Sequence, residues 1–357
     1  MNIDFHYGVI YVTSRLAGLK PTEAQVVAHA CQYVDDATTN GLMKFAGGET
    51  FERFASAHEM CDYKNALDEE NRLIWVPFHF LPACEGETLE DKAVCRPDSA
   101  VARQMVKKAI AHKGADNALH RLGVSLHVYI DTWAHQGFSG VVSDNNKLLF
   151  LEGDDHNHET WLGKVKDALV TAGHNIGTVV LDGISGLGHG AALHFPDMPW
   201  AKWQYRNAKQ ELVVRDNLPD FIQAADMACR VVQGFIKGTE DYEALPGLPD
   251  DTKIAMQNIL ASSRDHDPQK RLEALVKAVA RGAIPGLAET IPQYIAKGEG
   301  SWKHAATGIS GTGDGVTEPI WSKTFEHSDY RKFHDASKEH RFVVTQQILP
   351  AFNVRLA

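Results

Sequence analysis

The chain is short of cysteine. It has five in 357 residues, at Cys31, Cys61, Cys84, Cys95 and Cys229, and no CxxC pair. An odd and scattered set excludes a disulfide framework or a cysteine zinc knuckle and fits a reducing compartment. Positive charge is also scarce: 36 Lys and Arg stand against 46 Asp and Glu, a formal net charge of -10. A nonspecific nucleic-acid coat is thereby excluded, because Lys and Arg do most of the holding of a phosphate backbone. A phosphodiester drawn in by a local metal cluster is not excluded. No run approaches the length of a membrane span, and MNIDFHYG carries Asp4 and no basic residue, so the expectation is a soluble cytoplasmic protein. There is no low-complexity tract or internal repeat, and the glycines of 182–197 lack the GK[ST] ending of a phosphate-cradling loop.

Histidine is abundant, at 18 residues. The chain is organised around DNALHRLGVSLHVYIDTWAHQGFSG, residues 116–140. Leu119, Leu122, Leu126 and Ile130 recur at helical spacing, and Gly137 and Gly140 supply the stop. Residues four apart share one helix face, so His127, Asp131 and His135 form a stripe, with His120 nearly in line one heptad earlier. Neutral imidazoles and carboxylates are the usual ligands of zinc and similar ions, and an Asp between two His suits more than one metal.

Other candidates come from the flanks. Asp4 and His6 precede an apolar first helix and either anchor the terminus or donate ligands. A second helix opens at Pro21 and ends in Asp35 and Asp36, two acids that oppose the helix dipole unless a cation compensates. His58 and His79 follow, the latter in WVPFHFLP, which the flanking prolines predict as an extended buried segment. EGDDHNHE, at 152–159, has metal-site composition on a loop. In DGISGLGHGAALHFPD, His189 and His194 with Asp197 complete a cluster. Asp131 or Asp36 would bridge ions, and an acid not used as a ligand would serve as general base.

Helical periodicity recurs over 99–112, 161–172, 216–237, 252–261, 268–280 and 330–348, so the expected fold is all-α, a compact multi-helix domain with additional C-terminal helices. PGLPDD, at 246–251, divides a metal-binding helical domain, 1–245, from a C-terminal helical extension, 246–357, packed on the same core.

IDFHYGVIYVTSRLAG, QYVDDA, VPFHFLP, HVYIDTWAHQGFSG and GHGAALHFPDMPW together resemble an uncharacterised bacterial family of unknown function. More distantly, the order of ligands is similar to the all-α superfamily of zinc-dependent phospholipase C and single-strand-specific nuclease. That resemblance implies two or three zinc ions, manganese or iron being compatible. It implies ligands from Asp4 and His6, Asp35 or Asp36, His58 or His79, His127, Asp131, His135, and His189 or His194 with Asp197. Two departures stand out: those enzymes use a mature N-terminal tryptophan amine, and Pro196 interrupts the last ligand pair here. The expected function is a metal-dependent hydrolase of a small-molecule or lipid phosphoester. A di-iron oxygen-activating enzyme and a non-enzymatic helical binding protein with a structural zinc are the alternatives.

Overall fold

A computed structural model describes residues 1–58, 72–153, 188–311, 313 and 318–356. Most of the acidic histidine run, the helix expected over 161–172, and residues 182–187 of the glycine-rich stretch lie outside the described residues. A π-helical turn, Asp4–Val9, runs into α1 (Ile10–Ala17), followed by α2 (Pro21–Asp36), α3 (Arg72–Phe78), α4 (Leu89–Ala93) and α5 (Ala100–Ala111). Then come α6 (Ala118–Ala134), α7 (Asn217–Lys237), α8 (Asp250–Ser262), α9 (Pro268–Ala280), α10 (Trp302–Thr307), α11 (Lys323–Glu326) and α12 (Asp329–Phe342).

The expectation of an all-α fold is corrected by two antiparallel sheets. One is a hairpin of β1 (Gly41–Lys44) and β2 (Thr50–Arg53). The other has three strands in the order β3-β4-β5, built from Phe150–Gly153, Lys202–Arg206 and Leu212–Asp216. The fold is a helix-rich α/β mixture, 54% helical. The sheets have a physical cause in the sequence. In KWQYR, Trp203 and Tyr205 alternate with Lys202, Gln204 and Arg206, and the two aromatics turn inward beside Phe138, Phe195 and Met198. In the hairpin, Gly47 and Gly48 form the reversal that lets Met43 and Phe51 pair across it.

WVPFHFLP is also corrected: its first half is the end of α3, with Pro77 in the last turn, and only from His79 onward does the chain leave the helix. A proline so close to a helix end removes a single backbone donor, which a seven-residue helix packed on a core tolerates.

Every residue of α6 from Leu122 to Ala134 is buried. It is enclosed by α2, α5, α7 and α12. It approaches α2 closely at Gly123, where a β-carbon would meet the Val27 carbonyl oxygen at 2.4 Å and the Ala30 β-carbon at 2.6 Å. Without that side chain the two backbones draw together, and the polar residues one and two turns further along α6 face the end of α2. The main apolar core runs from Met1 and Phe5 through Leu126 and Phe221 to Leu275 and Val354.

Candidate metal centre

Burying His127 and Asp131 on an apolar helix is costly unless partners satisfy them. The structure supplies partners in a regular way. His127 donates its Nδ1 proton to the Cys31 carbonyl at 2.8 Å, which leaves Nε2 as the free lone pair. His135 donates Nδ1–H to the His79 carbonyl at 2.7 Å, His79 donates Nε2–H to the Ser56 carbonyl at 2.9 Å, and His189 donates Nδ1–H to the Leu193 carbonyl at 3.2 Å. A backbone carbonyl on one ring nitrogen fixes the tautomer and presents the other nitrogen as a ligand, the arrangement common around bound metals.

The four free ring nitrogens face carboxylate oxygens at 3.3–3.7 Å, at or beyond the long end of the hydrogen-bond range. His127 Nε2 lies 3.3 Å from Asp131 Oδ2 and 3.7 Å from Asp35 Oδ1, and 3.3 Å from His79 Nδ1. His79 Nδ1 in turn lies 3.7 Å from Asp35 Oδ1 and 3.8 Å from Asp131 Oδ2. Asp35, His79 and His127 thus form one close group, with Asp131 Oδ2 beside both imidazoles. Two ligands held about 2.0–2.1 Å from one tetrahedral ion stand about 3.3–3.4 Å apart, so the 3.3–3.8 Å separations here need only small adjustments for these atoms to share an ion. A second set lies alongside: His135 Nε2 is 3.6 Å from Asp197 Oδ1, and His189 Nε2 is 3.6 Å from Asp197 Oδ2. Asp131 stands between the sets, its Oδ2 also 3.6 Å from His135 Nδ1, the nitrogen bonded to the His79 carbonyl.

The Met1 amine and His6 sit behind this array. The Met1 amino group lies 2.7 Å from Asp131 Oδ1 and 3.1 Å from Asp197 Oδ1. His6 spends both ring nitrogens on carboxylates, Nδ1 at 3.0 Å from Asp35 Oδ2 and Nε2 at 2.9 Å from Asp131 Oδ1. His6 is therefore placed to clamp the outer oxygens of two acids, and it also stands in one of three groups able to hold an ion, with His127 and Asp131. The other two groups are Asp35, His79 and His127, and His135, His189 and Asp197.

Burial works against charge on all of these groups, and the neighbours decide which stay charged. Burial opposes ionisation of Asp131 and Asp197, yet the facing imidazoles and the Met1 amine hold both well below the usual carboxylate range. Asp35 is pulled down to about 2, burial being outweighed by His127 and His6. Burial lowers His127 and His189 to about 4. Burial alone would lower the Met1 amine, but Asp131 and Asp197 raise it to about 11, and Asp131 likewise raises His6 against burial. At neutral pH Asp35, Asp131 and Asp197 are thus ionised and His127 and His189 neutral, the protonation that metal binding needs. Asp131 Oδ2 is buried with no hydrogen-bond donor, and Asp197 Oδ1, also buried, faces the Met1 amine at 3.1 Å. A buried carboxylate oxygen without a donor is costly, and a cation between the two sets would satisfy it.

The structure brings together His6, Asp35, His79, His127, Asp131, His135, His189 and Asp197. It takes the other sequence candidates elsewhere. Asp4 forms a bidentate pair with Arg271 at 2.7 and 3.0 Å, the anchoring role. Asp36 accepts from the Tyr294 hydroxyl at 2.6 Å and from Gln32 at 3.1 Å. His58 packs near Trp75, and neither it nor His194 belongs to any of the three groups. His120, on the same helix stripe, binds Asp329 at 3.0 Å instead. Sequence reasoning missed the Met1 amine, for which nothing in the residue pattern gives a signal. It also missed the backbone carbonyls that orient the imidazoles, which are set by tertiary contacts.

A family described as of unknown function, DUF6765, matches residues 1–348. No curated protein and no solved structure matches the chain. The comparisons do not support the likeness to zinc-dependent phospholipase C.

Proposed function

The chain belongs to that family, whose function is unknown, and we propose from its own residues that it is a metal-dependent hydrolase acting on phosphoesters. The observation that carries this is the pair of adjoining ligand sets on either side of Asp131, with every imidazole except His6 oriented by a backbone carbonyl. We assign Asp35, His79, His127 and Asp131 to one ion and His135, His189 and Asp197 to a neighbouring one, with His6 and the Met1 amine holding the bridging acid. Divalent ions there would bring a bound water toward neutral pKa and draw in an anionic phosphoryl group. The residues themselves fix the lone pairs and exclude water on the buried side.

The site also reaches solvent. Asp35 is 32% exposed and His189 19%, whereas His127 and Asp131 are at 0% and 1%. A purely structural zinc site is closed by four protein ligands, whereas the set of His135, His189 and Asp197 offers three and leaves a position open. Zinc is the expected ion, with manganese or iron compatible with the same ligands.

The test is a phosphomonoester and phosphodiester screen on protein reloaded with zinc or manganese after chelation. Turnover that disappears with the chelator and returns with the metal supports the reading. A protein that binds no divalent ion under these conditions contradicts it.

A further inference from the structure

A cavity of about 290 Å³ opens at the C-terminal end of α2, lined by Asp36, Thr38, Thr39, Lys297, Ser301 and Tyr330 among others. It meets the ligand cluster across Gln32, whose side-chain amide reaches Asp36 Oδ2 at 3.1 Å and Asp35 Oδ2 at 3.5 Å. Asp35 is also the most exposed acid of the cluster, so the open edge of the metal set and this cavity share one end of one helix. Building on the proposed hydrolase, we infer that the cavity is the subsite for a hydroxylated, ring-sized polar group of the substrate, a sugar or cyclitol carrying the phosphoester.

The lining decides between substrate classes. A volume of 290 Å³ lies at the small end of ligand pockets, enough for one ring and too little for a pair of acyl chains. Hydroxyls come from Thr38, Thr39, Ser301 and Tyr330, a carboxylate from Asp36 and an ammonium from Lys297. Vicinal hydroxyls both donate and accept, and such a mixed set of partners pairs with them where a lipid tail would leave them unsatisfied. The buried His334, also on the wall, has its Nδ1 against Phe54 and its Nε2 without a partner. Gln32 likewise keeps a buried, unpaired amide oxygen between cavity and cluster.

The test is titration calorimetry on metal-loaded protein with glucose 1-phosphate, inositol 1-phosphate and inorganic phosphate, for wild type and Thr39→Trp. Thr39 is exposed at the rim, so the indole narrows the cavity without entering the core. Lys297→Ala serves as a second variant that removes a contact without adding bulk. The expected result is at least about tenfold tighter binding of one ring phosphate than of inorganic phosphate, lost in Thr39→Trp and weakened in Lys297→Ala. Metal content and inorganic phosphate binding stay at the wild-type level in both variants. Equal affinity for ring phosphates and inorganic phosphate, with metal bound, overturns the subsite and leaves the hydrolase reading standing. Loss of metal from wild type overturns that reading instead, and the subsite with it.

Discussion

At the scale of single residues, two buried carboxylates with opposite partners separate structure from chemistry. Asp4 and Arg271 are both about 2% exposed and bind each other in a fork. Asp4→Asn breaks a buried ion pair and is expected to cost about 3–5 kcal/mol of stability. The same variant keeps full metal content, which elemental analysis checks; metal loss in folded Asp4→Asn would restore Asp4 as a ligand. The histidines outside the cluster make a pH prediction. Burial lowers His29 and His334 to about 3 and His340 to about 4. The unfolded chain protonates them near 6.5, so between about pH 4 and 6.5 it binds more protons than the folded one, and stability falls as pH falls. Each contributes a slope of about 1.4 kcal/mol per pH unit across that window. Urea denaturation of chelated protein at pH 7 and pH 5 measures this, and His334→Gln should reduce the slope by about one proton. Equal stability at the two pH values would show that these histidines charge in the folded state. Much at this scale was legible: His127, Asp131 and His135 share a stripe because helical spacing is a local property. The choice of Asp35 over Asp36 and His189 over His194 was not legible, because adjacent or nearby residues differ only in which neighbour the tertiary fold gives them.

At the scale of elements, the site depends on how closely α2 approaches α6. Gly123→Ala places a methyl group against the Val27 carbonyl, 2.4 Å away, where backbone cannot yield cheaply. The expected cost is about 1–3 kcal/mol, with weakened metal affinity because Asp35 and the Cys31 carbonyl move away from His127. Thermal melts with and without metal check it, and an unchanged melting temperature would mean the helices do not pack as described. Element boundaries were largely legible where caps exist. Pro21 with Glu23 bonded back to the Lys20 amide starts α2, and Ser99 starts α5. The strands went unread although their signal was present: Trp203 and Tyr205 alternate with polar residues, and Gly47 and Gly48 sit between two short runs. Each run is only four or five residues long, and aromatic packing explained the same residues equally well.

At the scale of the whole molecule, the C-terminal region contributes to the N-terminal end of the site. α9 packs on the Asp4–Val9 turn. The Tyr7 hydroxyl donates to the Pro292 carbonyl at 2.8 Å and Tyr11 to Glu289 at 2.7 Å. We propose that 246–357 packs as an extension of the same folding unit, so that 1–245 expressed alone fails to unfold cooperatively; a sharp calorimetric transition for that fragment would contradict this. No helix among the described residues is long and apolar enough to cross a membrane. The central claim is that this fold holds divalent ions between Asp131 and its surrounding imidazoles. Plasma mass spectrometry on chelated, zinc-reloaded and desalted protein tests it, with wild type and Asp131→Asn treated side by side. About two equivalents of zinc in wild type and a loss of at least one in Asp131→Asn are predicted, because the amide removes the charge both ligand sets share. Equal metal content in the two proteins, or none in wild type, would contradict it.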